Sequence, residues 1–127
     1  MATEKKDVLK TSYSAIRPYT TKDGAMIREL MHPEVQGNSN QSLAEATITP
    51  GTATALHRHN LSEEIYHFTG GRGQMTLDEE TFEVVMGDTV WIPPGSLHRL
   101  QNTGKEPLKL LCCCAPPYSH DDTELVT

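Results

Sequence analysis

An all-β domain is predicted for this 127-residue chain by three observations. Apolar and polar residues alternate in short runs, glycine, proline, asparagine or aspartate interrupts those runs at close intervals, and no stretch shows a capped 3.6-residue apolar rhythm. So many short strands must hide their edges, which favours a sandwich, jelly roll or barrel over an open sheet. The length and an apolar content of 36% suit one domain and leave no room for a second.

Extended segments are expected over 25–31, 43–49, 53–59, 64–69, 73–78, 81–86, 89–92, 97–102 and 108–115. The first follows Gly24, where the sequence changes character, and the second ends at the Pro50-Gly51 turn. QMTLDEETFEVV reads as two alternating strands about an acidic hairpin turn, with Met75, Leu77, Phe82 and Val84 on its inward face. Gly71 and Gly87 permit backbone turns that a Cβ resists, while Pro93 and Gly95 end one strand and start the next. The last segment, LKLLCCCAP, puts Cys112 and Cys114 on one face and Cys113 on the other as small buried apolar residues. Adjacent cysteines make a poor disulfide framework, and reduced thiols fit a cytosolic address. Residues 1–24 are expected to form a peripheral arm, 25–118 the barrel and 119–127 a C-terminal tail.

A net charge of −6 with scattered basic residues provides no stripe for phosphates, which argues against nucleic acid as a partner. The first twenty residues lack the apolar stretch of a signal peptide, and there is no run of eighteen apolar residues. The expectation is a cytoplasmic protein without a membrane partner.

His57 and His59 stand two apart, so on a strand both imidazoles project from one face. Glu64 follows on the next segment, and His98 is delivered from across the fold by the Pro-Pro-Gly turn. Three neutral imidazoles and a carboxylate suit one divalent transition metal ion (Fe, Mn, Ni, Co, Cu or Zn) and leave positions open for water or substrate. Glu63 is an alternative carboxylate, because adjacent strand residues face opposite ways and the choice reverses the strand. With Glu64 inward, Tyr66 and Phe68 also face in, and Tyr66 becomes a candidate substrate-binding residue. His32, His67 and His120 are left out of the metal site as surface residues, as are Arg28, Gln41 and Arg99 among substrate contacts. Asn102 shares the face of His98 but suits a turn or backbone hydrogen bond.

These residues fall in two motifs, Gly51-TATAL-His57-Arg-His59-NLSE-Glu64-IYHFTG-Gly71 and Gly87-DTVWI-Pro93-Pro-Gly95-SL-His98-RLQ-Asn102, separated by fifteen residues. In them the chain resembles a single-domain cupin over about residues 45–115, with every fixed position of the second motif filled. The run Glu-Ile-Tyr leading to Gly71-Arg-Gly73 resembles the common microbial form and favours Glu64 over Glu63. The resemblance implies a cupin jelly-roll barrel, also called a double-stranded β-helix. It further implies a metal-dependent enzyme acting on an organic acid, sugar derivative or diketone by oxygenation, decarboxylation or isomerisation. A non-catalytic module binding or sensing a sugar or acid at the same site is the alternative, and a purely structural ion a third. Small cupins also pair, so the resemblance implies a homodimer that exchanges the arm before Gly24.

Overall fold

The computed structural model describes residues 8–126, so the first seven residues of the expected arm and the last residue of the expected tail lie outside it. Strand alternation organises everything else. β1 (Tyr19–Thr20), β2 (Met26–Met31), β3 (Ser42–Ile48), β4 (His57–His59), β5 (Glu63–Gly70) and β6 (Arg72–Leu77) are followed by β7 (Glu80–Val85), β8 (Thr89–Ile92), β9 (His98–Asn102), β10 (Leu108–Ala115) and β11 (Thr123–Leu125). They form two antiparallel sheets, one ordered β1-β2-β3-β10-β5-β8 and the other β11-β4-β9-β6-β7. The architecture is the predicted all-β jelly roll, and the only helix among the described residues is a 3-10 turn at Tyr13–Ala15. No helix among these residues is long and apolar enough to cross a membrane.

Every second residue of β3, β5 and β10 is buried, so the three strands turn one apolar face toward the opposite sheet. Phe68, Leu108 and Leu110 from one sheet meet Met75, Val84 and Leu100 from the other in a continuous core. Each such side chain contributes roughly 1.5–3 kcal/mol through burial. The hairpin of β6 and β7 has the expected face, with Met75 and Val84 fully buried and Leu77 and Phe82 packed at the margin. Cys112 and Cys114 are buried on one side of β10 and Cys113 is partly exposed on the other, and all three are free thiols.

Three local outcomes differ from the expectations. The 53–59 segment is a strand only at its end, because its backbone bonds go to several partners: Ala53 bridges Gln101, Thr54 bonds Leu100, and Ala55 bonds Asp23. Strands also form outside the expected barrel: Tyr19 pairs with Ile27, and Thr123 with His59. These two strands are too short to display alternation in sequence. His32, expected at the surface, is 8% exposed. Its ring is held between the Tyr118 carbonyl at 2.8 Å and the Glu34 amide at 3.1 Å, which satisfies both nitrogens.

Gly73 lies on β6 opposite Asn102 of β9. A Cβ there would collide with the Gln101 carbonyl and lie 2.8 Å from Leu108 Cδ2. Gly37 is the opposite case, with φ +88° and open space around it. Gly73→Ala is therefore expected to cost about 1–3 kcal/mol by overpacking and Gly37→Ala about 1–2 kcal/mol through backbone strain alone. Urea unfolding measures both, and a neutral Gly73→Ala would show that the two strands can separate without loss.

Candidate metal centre

β4 brings His57 and His59 to the interior, while the intervening Arg58 points outward to Glu124 on β11 at 3.1 Å. The register of β4 and β9 sets His98 directly opposite His57. Glu64 approaches His59 and His98 from β5 in the other sheet. All four side chains are enclosed, at 2% exposure for His57, 4% for His59, 5% for Glu64 and 1% for His98. Glu63 faces solvent, where it accepts a hydrogen bond from Trp91 Nε1 at 2.8 Å. Alternation along β5 thus turns Glu64, Tyr66 and Phe68 inward and Ile65 and His67 outward.

The outer nitrogen of each ring is already engaged. His57 Nδ1 lies 2.8 Å from the Ala55 carbonyl and His98 Nδ1 3.0 Å from the Ser96 carbonyl. A carbonyl only accepts, so both Nδ1 atoms carry hydrogen. His59 Nδ1 lies 3.0 Å from Thr123 Oγ1, and that hydroxyl already donates to the Ser119 carbonyl at 2.8 Å. His59 Nδ1 is therefore a donor as well. In the neutral rings, all three Nε2 atoms are then unprotonated and available.

The three imidazoles offer ligand atoms that all lie within 4.8 Å of one another. Glu64 Oε1 stands 3.3 Å from His59 Nε2 and 3.5 Å from His98 Nε2. Glu64 Oε1 and His98 Nε2 are buried without a hydrogen-bond partner among the described residues. Electron pairs crowd one point with no donor between them, an arrangement that only a proton or a cation can relieve. Burial, assisted by His98, pulls the pKa of His57 down to about 4, so its ring is neutral at ordinary pH. Burial also lowers His59, but the Glu64 carboxylate outweighs it and the net shift is upward. For Glu64, burial acts to raise the carboxyl, and the imidazoles of His59 and His98 prevail and hold it well below the usual carboxylate range. The three grouped imidazole nitrogens fit a divalent metal ion, with the Glu64 carboxylate beside two of them.

A further layer fixes these groups. Cys114 donates its thiol hydrogen to Glu64 Oε2 at 3.1 Å, leaving Oε1 to face the histidines. Burial, reinforced by Glu64, pushes the Cys114 thiol far up, so it remains a donor and not a thiolate. Asp23, from the turn before β2, places Oδ2 3.4 Å from His57 Nε2. Its other oxygen is fixed by Thr21 and by the Ala25 amide. Sequence alone did not point to Asp23, Thr123 or Tyr118. The sequence marked a change of character at Gly24, but nothing linked that position to His57.

The site opens into a cavity of about 50 Å³ whose walls include Ala44, Ala46, Ile48, Leu110 and Cys112. That is room for on the order of four water-sized groups. Tyr66 lines it, with its ring 5.9 Å from that of His98, and burial pushes its phenol well up so that it stays a neutral donor. Arg28 turns away, stacked 4.2 Å above the Tyr13 ring, and Arg99 and Gln41 are at the surface. His67 and His120 are outside as well. Asn102 locks a turn, donating to the carbonyls of Ile48 and Glu106 at 2.8 Å each.

Comparison with known proteins gives a consistent picture. The model of the family described as Cupin domain matches residues 44–114. An uncharacterized protein of Methanocaldococcus jannaschii is 56% identical over 119 residues, covering 94% of this chain and 95% of that one. Among solved structures, the Lactobacillus farciminis oxalate decarboxylase in its formate complex is similar at 25% identity and a TM-score of 0.77, over 89% of this chain. The match spans only 34% of that longer chain. A predicted oxalate decarboxylase from Thermotoga maritima shares the fold at 23% identity and a TM-score of 0.73, over 83% of this chain and 96% of that one.

Replacing His57 or His98 with Ala should abolish stoichiometric binding of Co or Zn while the far-ultraviolet circular dichroism stays that of a β protein. Full metal retention in either variant, measured by elemental analysis after gel filtration, contradicts the assignment. Thr123→Val should retain the ion but with about 10–100-fold lower affinity, because His59 loses the acceptor that fixes its tautomer.

Proposed function

Because the chain belongs to the cupin domain family, we propose that it is a metal-dependent enzyme acting on a small oxygen-rich molecule, with His57, His59, Glu64 and His98 as the ligands. The observation that carries this is the gathering of three buried imidazoles whose ligand atoms lie within 4.8 Å of one another, two of them beside Glu64 Oε1, with Glu64 Oε1 and His98 Nε2 lacking partners among the described residues. A divalent ion held there supplies Lewis acidity toward a carbonyl or hydroxyl oxygen and lowers the pKa of bound water.

The protein's own groups do the remainder. Four side chains from two sheets fix the ligand atoms before substrate arrives, so little reorganisation accompanies binding. Cys114 holds Glu64 with Oε1 facing the histidines. The apolar wall of Ala44, Ala46, Ile48 and Leu110 keeps the dielectric low, which strengthens polar contacts made inside. Tyr66 offers a neutral hydroxyl to a substrate oxygen, and the cavity admits only a compact molecule. Oxygenation, decarboxylation and isomerisation of an organic acid, sugar derivative or diketone are the reactions compatible with such a centre. The similarity to oxalate decarboxylases supports the size class of the substrate rather than its identity.

Metal-loaded protein incubated with a panel of small acids, sugars and diketones, with and without dioxygen, should turn over at least one compound. Removal of the ion with a chelator should abolish that turnover, and readdition should restore it. Saturable binding without turnover across a broad panel would instead make the domain a ligand-binding module.

A further inference from the structure

We propose that the cavity is built for an uncharged, hydroxyl-bearing carbonyl compound and disfavours dicarboxylates, with Asp23 and Glu29 setting that preference; this rests on the metal-dependent function proposed above. Charged groups on the cavity wall are of one sign. Asp23, Glu29 and Glu64 all line it, and none of its lining residues is lysine or arginine. The nearest candidates are committed elsewhere. Lys22 Nζ is 2.8 Å from the Thr123 carbonyl and 3.4 Å from that of His120, and Arg28 bonds the backbone carbonyls of Tyr13 and Ile16.

The charge of a divalent ion is matched by Asp23 and Glu64 alone. A dianionic ligand would then bring negative charge into a low-dielectric space with no side-chain cation to meet it, whereas an uncharged ligand brings none. Hydrogen bonding favours the same class. Glu29 Oε2 accepts from the Tyr19 hydroxyl at 3.2 Å, but Oε1 is buried without a partner among the described residues. That unpaired acceptor calls for a ligand that donates, which a polyhydroxy or hydroxycarbonyl molecule does and a carboxylate anion does not. Burial is the leading cause that raises the Glu29 carboxyl above its ordinary value, with His32 and Tyr19 opposing it, as expected of a charge short of partners.

The approach to the cavity has the same sign. Tyr19, Glu29 and Tyr118 line both the cavity and an outer depression of about 380 Å³, so they stand between the two. Glu34 and Asp121 add negative charge to that depression, and no lysine or arginine lines it. Its two histidines are occupied with Tyr118, His32 on the carbonyl and His120 on the hydroxyl. An acidic approach slows the arrival of anions and leaves neutral molecules unaffected.

Two ligands of equal carbon number separate charge from size: dihydroxyacetone, which is neutral, and malonate, a dianion. Each is titrated into Co(II)-loaded protein while the visible spectrum of the ion is recorded, and cobalt retention is checked by gel filtration. Dihydroxyacetone is expected to perturb the spectrum saturably, and malonate only weakly. Glu29→Gln, which lies away from the four ligands, should raise malonate affinity by about tenfold without improving that of dihydroxyacetone, and Asp23→Asn should act in the same direction. Malonate binding the unaltered protein more tightly than dihydroxyacetone, or malonate affinity unchanged in Glu29→Gln, overturns the preference while leaving the metal site intact. Failure of the unaltered protein to take up cobalt overturns the metal-dependent function, and this inference with it.

Discussion

Everything chemical in this protein depends on where three protons are kept. The Ala55 and Ser96 carbonyls and the Thr123 hydroxyl each hold an imidazole hydrogen on Nδ1. In the neutral rings the opposite nitrogens are thereby left free inside the β shell, those of His59 and His98 beside the carboxylate of Glu64 and that of His57 beside Asp23. Such an arrangement is costly for a protein to keep empty of positive charge. Backbone carbonyls two residues upstream of His57 and His98 do this for two of the rings, so the strand entrances themselves set the tautomer. The third ring depends on a hydroxyl from the far end of the chain.

The fold supplies the convergence that the chemistry needs. His57, His59 and His98 come from paired strands of one sheet, and Glu64 crosses from the other. The core of Phe68, Met75, Leu108 and Leu110 lies between the same sheets, so packing that stabilises the barrel also fixes the spacing of the donors. No loop has to close to assemble the set. Rigidity of this kind favours a preorganised site over one formed on binding.

Much of this was legible in the letters. Alternation placed most strands, the two-residue spacing of His57 and His59 put them on one face, and the Pro-Pro-Gly turn predicted the arrival of His98. The choice of Glu64 over Glu63 came from the likeness of the run Glu-Ile-Tyr leading to Gly71-Arg-Gly73 to the common microbial cupin form, since alternation alone left both open. What sequence could not convey was long-range partnership between polar residues. Thr123 meets His59 across 64 positions, and Asp23 meets His57 from a turn that looks like any other Asp-Gly turn. His32 was misjudged for the same reason: its burial depends on a carbonyl of Tyr118, 86 residues away. Short strands such as Tyr19–Thr20 and Thr123–Leu125 carry too few residues for a pattern, and exist because a partner edge is present.

That last pairing has a thermodynamic corollary. Thr123 belongs to a three-residue strand at the edge of its sheet, yet its side chain orders one of the rings at the centre. With an ion held as proposed, seating of the carboxyl-terminal segment and occupancy of the site would be linked equilibria, each strengthening the other by the same factor. A peripheral ribbon of chain thus becomes a gauge of what happens in the interior, with fraying at one place and release at the other as two faces of a single event.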